Sequence, residues 1–328
     1  EVGMLIITFP DELAPGDVLV RTTLSTICGT DIHTIEAPDG IGVPLGHEAV
    51  GIVEAVGPGV HKLARGDRIV ASCLYVCGEC DRCLEGEGAI CETFRQGPPG
   101  PLLMGLQGER YILHAADTTA AKVPDNIADE QAIFTADVLS IGMATLERAG
   151  IRTGDSVAVF GQGPVGLSVV ASARALGAGL VMGVDSVEYR QLISRQLGAD
   201  AVFAAGEGVA RVKDATGGRG ADIVVDAVGG NVAVFQDACR ASRDGGVVST
   251  VLGIQAPPPD VPLIQRTLVA TLCPFGTRRL ERLMAMLGSG RIDLSPLITH
   301  RIPLADAPAG YAMFRERREG VVKILLTP

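Results

Sequence analysis

The sequence predicts an α/β chain of two domains, one of them a doubly wound parallel sheet. A strand, a glycine-rich turn and a helix follow one another from 156 to 177. Strand candidates then alternate with helical stretches, and 328 residues exceed what one average domain needs. An apolar fraction of 47% allows large buried cores, and Gly 42 and Pro 19 without a repeat suit a loop-rich globular enzyme. The net charge of -10 repels phosphate backbones and speaks against nucleic acid as a partner. No apolar run reaches the ~20 residues of a membrane helix. The opening EVGMLIITFPDELAPGD has no basic n-region and no cleavage pattern. A reducing cytoplasm is therefore expected, where cysteines serve as metal ligands or free thiols.

The first element is SVAVFGQGPVGLSVVASARALGA. Ser156–Phe160 is a short apolar strand, and helical composition over Val165–Leu176 ends at Gly177. Between them lies G-x-G-x-x-G. Gly161 makes the turn, Gly163 lets the backbone approach a pyrophosphate, and Gly166 lets the helix pack on the strand. Gly161, Gly163, Pro164, Val165 and Gly166 are the candidate cofactor-binding residues of this turn. The next strand, LVMGVD, ends on Asp185. An acid there accepts hydrogen bonds from a ribose 2′-hydroxyl and repels a 2′-phosphate, which favours NAD over NADP. Arg190 lies against the same ribose or is a solvated helix residue. AVFAA, ADIVVDAVG, GGVVSTVLG and TLVATLCPF supply further strands, with helical stretches between the first three. GGVVSTVLG pairs across a dimer as an edge strand or lies inside the sheet. A Rossmann-like domain for another ligand is the alternative, and Asp185 counts against it.

The other domain is marked by cysteine. Four of the eight cysteines, Cys77, Cys80, Cys83 and Cys91, are spaced C-x2-C-x2-C-x7-C. Two-residue spacers let thiolates converge, and four of them close a tetrahedral Zn²⁺ shell with no open position, hence a structural site. Gly78, Gly86 and Gly88 are expected to supply the dihedrals of so tight a knot. Two disulfides or an iron–sulfur cluster are the alternatives; the compartment argues against the first, and the absence of a proline after the fourth cysteine against the second.

A second constellation surrounds this knot. ICGTDIHT carries Cys28, Asp31 and His33, and PLGHEAVG carries His47 and Glu48. A thiolate and an imidazole are good zinc ligands, and a catalytic zinc keeps three protein ligands and one open position. FTADVLSIG places Asp137 alone in an apolar run, where a carboxylate is costly unless paired or metal-bound. Cys73, Cys239 and Cys273 match no ligand spacing and read as ordinary buried thiols.

Taken together, CGTDIHT, PLGHEAVGIVEAVGPGV, GDRIV, CGECDRCLEGEGAIC, DVLSIG, VAVFGQGPVGL and GVD make the chain resemble the zinc-dependent medium-chain alcohol dehydrogenase family almost end to end. The resemblance implies a GroES-like β-rich catalytic domain over 1–140 and 273–328, with the structural zinc lobe at 76–91. A Rossmann NAD-binding domain is inserted at 141–272. It makes Cys28, His47 and Asp137 the catalytic zinc ligands and Glu48 a carboxylate that approaches the metal during ligand exchange. Thr30 touches the substrate oxygen and starts a proton relay that leaves through His33. Asp31 orients His47, and Val165 presses on the nicotinamide. Two zinc ions per chain and NAD are the implied cofactors. A secondary alcohol, or the carbonyl compound it becomes, is the implied substrate, and a homodimer or homotetramer the implied assembly. A polyol or sugar dehydrogenase of the same family is the alternative, and a non-catalytic nucleotide-binding redox sensor the alternative from another class. Family members carry residues before the point where Glu1 stands, and Gln107 occupies a position where they often have Phe.

Overall fold

The computed structural model describes residues 2–36, 42–93, 105–251, 253–262 and 265–328. Two compact units divide the chain. The first comprises 1–140, 273–290 and 298–328, the second 141–272 and 291–297. The division falls inside the helix Val138–Arg148.

The first unit is built on β1 (Val18–Ile27), β2 (Ala49–Val56), β3 (Arg68–Ala71), β4 (Arg110–Leu113) and β5 (Ala120–Lys122). Val18 and Val20 are buried while Arg21 is exposed, the period-2 pattern of a strand with one face on a core. The second unit carries β6 (Ser156–Phe160), β7 (Leu180–Asp185), β8 (Ala201–Ala204), β9 (Ala221–Asp226), β10 (Ser242–Thr250) and β11 (Thr267–Ala270). The chain closes with β12 (Ile298–Pro303) and β13 (Lys323–Thr327), which return to the first sheet.

Among the described residues the first sheet runs β12-β13-β1-β2-β3-β5, with β4 also on β1. Its register decides what meets. Ile27 lies opposite Ile324, and Ser25 opposite Ala49. The end of β1, the start of β2 and the start of β13 therefore share one end of the sheet. Cys28, His47, Glu48 and Lys323 stand at those three positions.

The second sheet is parallel throughout, in the order β11-β10-β9-β6-β7-β8. The first strand of this unit lies centrally, two successors run outward on one side and three on the other, as in a dinucleotide-binding sheet. All five residues of β6 are buried, the continuous burial of a strand covered on both faces. The helix after β6 spans Pro164–Ala175 and so begins one residue before the expected start, because Pro164 fits the first helical turn, where no N–H is needed. The segment GGVVSTVLG is interior, since β10 pairs with both β9 and β11. The half-exposed β11 is the edge.

Asp222 ties three strands of this sheet together. Its Oδ2 accepts from Ser156 N–H at 2.8 Å and Ser156 Oγ at 2.6 Å, and its Oδ1 from Arg243 Nε at 2.6 Å. Burial raises this carboxyl, but Ser156 and then Arg243 outweigh burial and bring it down to about 2. A lowered carboxylate stabilises above its unfolded value and loses that contribution as pH falls through the folded one. Asp222→Asn is expected to cost about 2 kcal/mol at pH 7. Urea unfolding should show the gap to the parent protein closing between about pH 4 and pH 2.

Candidate active site

Cys28, His47 and Asp137 come together at the shared end of the first sheet, with one donor atom of each within 4.8 Å of the others. Cys28 Sγ lies 3.9 Å from Asp137 Oδ2, and His47 Nε2 lies 3.4 Å from the same oxygen. His47 is buried, and neither ring nitrogen has a hydrogen-bond partner. Nε2 thus faces a thiol and a carboxylate. Burial lowers the His47 imidazole, but Cys28 first, then Asp137 and Asp31, outweigh it and hold it well above its ordinary value. The set therefore favours a positive charge at its centre, and its donors are those of a catalytic zinc site.

The surroundings fix these side chains. Asp31 Oδ1 stands 3.2 Å from His47 Nδ1, on the side away from Asp137. Asp31 Oδ2 accepts from Cys28 N–H at 2.9 Å and from Gln107 Nε2 at 3.1 Å. Gln107 also donates to Thr26 O at 2.9 Å and accepts from Tyr311 Oη at 2.6 Å. A glutamine at this position therefore braces the support of His47, which a phenylalanine could not do. Glu48, the next residue, is fully buried, and its Oε2 accepts from Lys323 Nζ at 2.5 Å. Burial pulls the Lys323 ammonium down, but Glu48 and then Cys28 outweigh it and hold it above its ordinary value. Thr30 Oγ1 lies 3.8 Å from Cys28 Sγ, near the start of the helix Gly29–Glu36. His33, one turn on along the same face, is exposed. Sequence reasoning missed Lys323 and Tyr311. A lone lysine in the apolar GVVKILL was the available signal for the first; nothing local marks the second.

Cys73 and Cys273 do not behave as unrelated core thiols. Ser72 N–H donates to Thr119 O at 2.7 Å and Cys73 N–H to Ala136 O at 3.2 Å, which bring Cys73 beside Asp137. Cys273 Sγ lies 3.9 Å from the Asp137 carbonyl oxygen. The Cys73 thiol is pushed well above its ordinary value, first by its hydrogen bond with Cys273 and then by burial. Both sulfurs and an Asp137 carboxylate oxygen lie within 4.8 Å of one another. Cys239 stays in the core of the second unit, as an ordinary thiol would.

The four clustered cysteines also converge. Cys77 and Cys83 sulfurs are 3.8 Å apart, Cys80 and Cys83 3.5 Å, and Cys91 and Cys77 3.6 Å. All four are free thiols, at the edge lengths of a tetrahedral thiolate shell, about 3.8 Å, rather than the ~2.05 Å of a disulfide. Cys80 N–H donates to Cys77 Sγ at 3.4 Å and Cys77 N–H to Cys91 Sγ at 3.5 Å. Burial raises the Cys77 thiol, but the Glu79 and Cys80 N–H groups outweigh it and bring it down to about 6. These residues could hold a structural zinc. Gly78 and Gly86 have positive φ, as expected; Gly88 does not, and it is required because a Cβ there would strike the Phe275 ring.

In the second unit, a Cβ on Gly166 would fall on the carbonyl oxygen of Gly161, so helix and turn touch only because it is glycine. Gly163 is different. Its backbone is extended, and a Cβ there would meet nothing within 4 Å. No protein atom demands glycine at 163, which leaves open space for a ligand beside the helix N-terminus. Pro164 and Val165 form the first residues of that helix. Asp185 is buried at the end of β7; its Oδ2 accepts from Gln162 N–H at 2.5 Å and its Oδ1 from Val187 N–H at 2.7 Å. Each oxygen keeps a second lone pair. Arg190 lies over the Tyr189 ring, 5.8 Å from its centroid, and its buried Nε has no hydrogen-bond partner.

One unit brings together donors that could hold a metal ion, and the other carries a parallel sheet of the nucleotide-binding type. Residues 14–125 match the alcohol dehydrogenase GroES-like domain, and residues 164–282 match the zinc-binding dehydrogenase domain. An alcohol dehydrogenase of Cupriavidus necator is 35% identical over 97% of this chain and 93% of its own length. An L-idonate 5-dehydrogenase of Vitis vinifera is 31% identical over 96% of this chain and 88% of its own. The solved structure of an alcohol dehydrogenase from a Thermus species superposes with a TM-score of 0.89 at 34% identity, covering 100% of this chain and 96% of that one. The chain belongs to the zinc-dependent medium-chain alcohol dehydrogenase family. Among the described residues no helix is long and apolar enough to cross a membrane.

Proposed function

We propose that the protein oxidises a secondary alcohol to a ketone with NAD, reversibly, holding one zinc at Cys28, His47 and Asp137 and a second at Cys77, Cys80, Cys83 and Cys91. The observation that carries the reading is the convergence of Cys28, His47 and Asp137 within 4.8 Å around an imidazole nitrogen that has no other partner. A zinc ion held there supplies Lewis acidity toward an alcohol or carbonyl oxygen, and NAD supplies the hydride acceptor.

The chain's own residues do the rest. Asp31, 3.2 Å from Nδ1, orients the His47 ring so that Nε2 points toward the other two ligands. Burial raises the Glu48 carboxyl, and Lys323, which donates to its Oε2, opposes that rise. The Thr30 hydroxyl accepts the proton of the substrate hydroxyl as it passes its own on toward exposed His33, which releases a proton to solvent. Gly163 leaves room for a pyrophosphate at the helix N-terminus. Asp185 accepts from the ribose 2′-hydroxyl through its remaining lone pairs.

Asp185→Asn removes the charge that repels a 2′-phosphate, and its one carbonyl oxygen still accepts from either the Gln162 or the Val187 N–H group. It is expected to narrow the NAD-over-NADP preference about tenfold. Titration of both dinucleotides measures it, and an unchanged ratio refutes the ribose contact. A panel of alcohols and ketones assayed with each dinucleotide, with zinc measured on the same sample, tests the whole reading. The L-idonate and L-threonine dehydrogenases among the relatives favour a polyhydroxy or amino-alcohol substrate as the second reading, and the same panel separates the two.

A further inference from the structure

We propose that Cys73, Cys273 and the Asp137 carboxylate form a second metal site, sharing Asp137 with the Cys28–His47 set, that takes a thiophilic d10 cation such as Cd²⁺. The three donors come from three distant segments. Cys73 follows β3, Asp137 precedes the helix Val138–Arg148, and Cys273 follows β11. Their ligand atoms nevertheless lie within 4.8 Å of one another. A tetrahedral thiolate shell has edges of about 3.8 Å, so small side-chain movements close it. Neither sulfur belongs to the four-cysteine cluster or to the Cys28–His47 set.

Softness and access both follow from the residues. Two thiolates and one carboxylate select a soft cation over Mg²⁺ or Ca²⁺. Cys73 is buried, whereas Cys273 is only half-buried and the Asp137 side chain is 14% exposed, so an ion enters past the last two. Two protons leave as the thiols become thiolates, and the bound cation's charge is met by three anionic donors. Because Asp137 is shared with His47 and Cys28, filling this site makes its carboxylate a bridge between the two sets. A thiophilic ion then slows turnover. That consequence rests on the proposed catalytic role of Cys28, His47 and Asp137; the binding itself does not.

The test titrates the zinc-loaded full-length protein with Cd²⁺. Thiolate-to-cadmium absorbance and metal content after gel filtration are read together. The parent protein is expected to take up one equivalent of Cd²⁺ without releasing zinc, and the Cys73→Ser, Cys273→Ser double variant to lose that equivalent while keeping its zinc. No added uptake, uptake matched by zinc release, or equal uptake by a zinc-replete double variant overturns the proposal. If the double variant does not fold, X-ray absorption at the cadmium edge on the parent protein decides. Two sulfur neighbours are expected, and one or four would overturn the site. Persistence of the added equivalent in a Cys28→Ser protein separates this site from the proposed catalytic one; its loss there would refute an independent pair of thiolates.

Discussion

Cys28→Ser is expected to lower kcat/KM by about a thousandfold or more, some 4 kcal/mol of transition-state stabilisation, while NAD binds as before. A serine hydroxyl is protonated at neutral pH and is a poor zinc ligand beside a thiolate. The substitution also removes the group that does most to hold the His47 imidazole above its ordinary value. Both effects weaken the attraction of the site for a cation. Steady-state kinetics, dinucleotide titration and zinc content on one preparation measure the outcome. Zinc should fall by about one equivalent, with the four-cysteine lobe retaining its own, because the two sets share no residue. Full turnover with the serine would dismiss the metal assignment at Cys28.

How far the site is legible in the sequence depends on how local its code is. C-x2-C-x2-C needs only one tight turn, and its first N–H to sulfur bond, Cys80 to Cys77, spans three residues. G-x-G-x-x-G is local too, since Gly166 packs on Gly161 within the same turn. By contrast, Cys28 meets Asp137 across 109 residues, and only the β1–β2–β13 register and the Cys73–Ala136 backbone bond bring such partners together. The sequence offers their chemistry but not their distance. Cys73 and Cys273 read as plain thiols because a ligand pair 200 residues apart has no spacing rule. Gln107 looks like a deviation until Tyr311, 204 residues on, is seen to complete its hydrogen bonds. The interior place of β10 depends on β11 lying outside it, a matter of strand order that the run GGVVSTVLG cannot express.

Lys323→Met is expected to destabilise the protein by about 3–5 kcal/mol, because it leaves the Glu48 carboxylate buried without its cation. Lys323 and Glu48 are each 1% exposed at the side chain, and Glu48 Oε1 already lacks a hydrogen-bond partner, so water cannot take over. The sign with pH follows from which group remains charged. In the variant, protonating Glu48 removes the buried charge, so its deficit should shrink as pH falls and be largest at neutral pH. The double variant Lys323→Met, Glu48→Gln carries no buried charge at this position and should recover most of the stability, as replacement of a whole buried pair commonly does. Its turnover is the informative part. If Lys323 only offsets the burial of Glu48, the double variant works as well as it folds. If the Glu48 carboxylate serves the neighbouring Cys28–His47–Asp137 set, stability returns and rate does not. Urea midpoints at pH 5 and pH 8, with kcat on the same proteins, separate the two, and a Lys323→Met protein as stable as its parent at both pH values would show that the 2.5 Å contact contributes nothing to the fold.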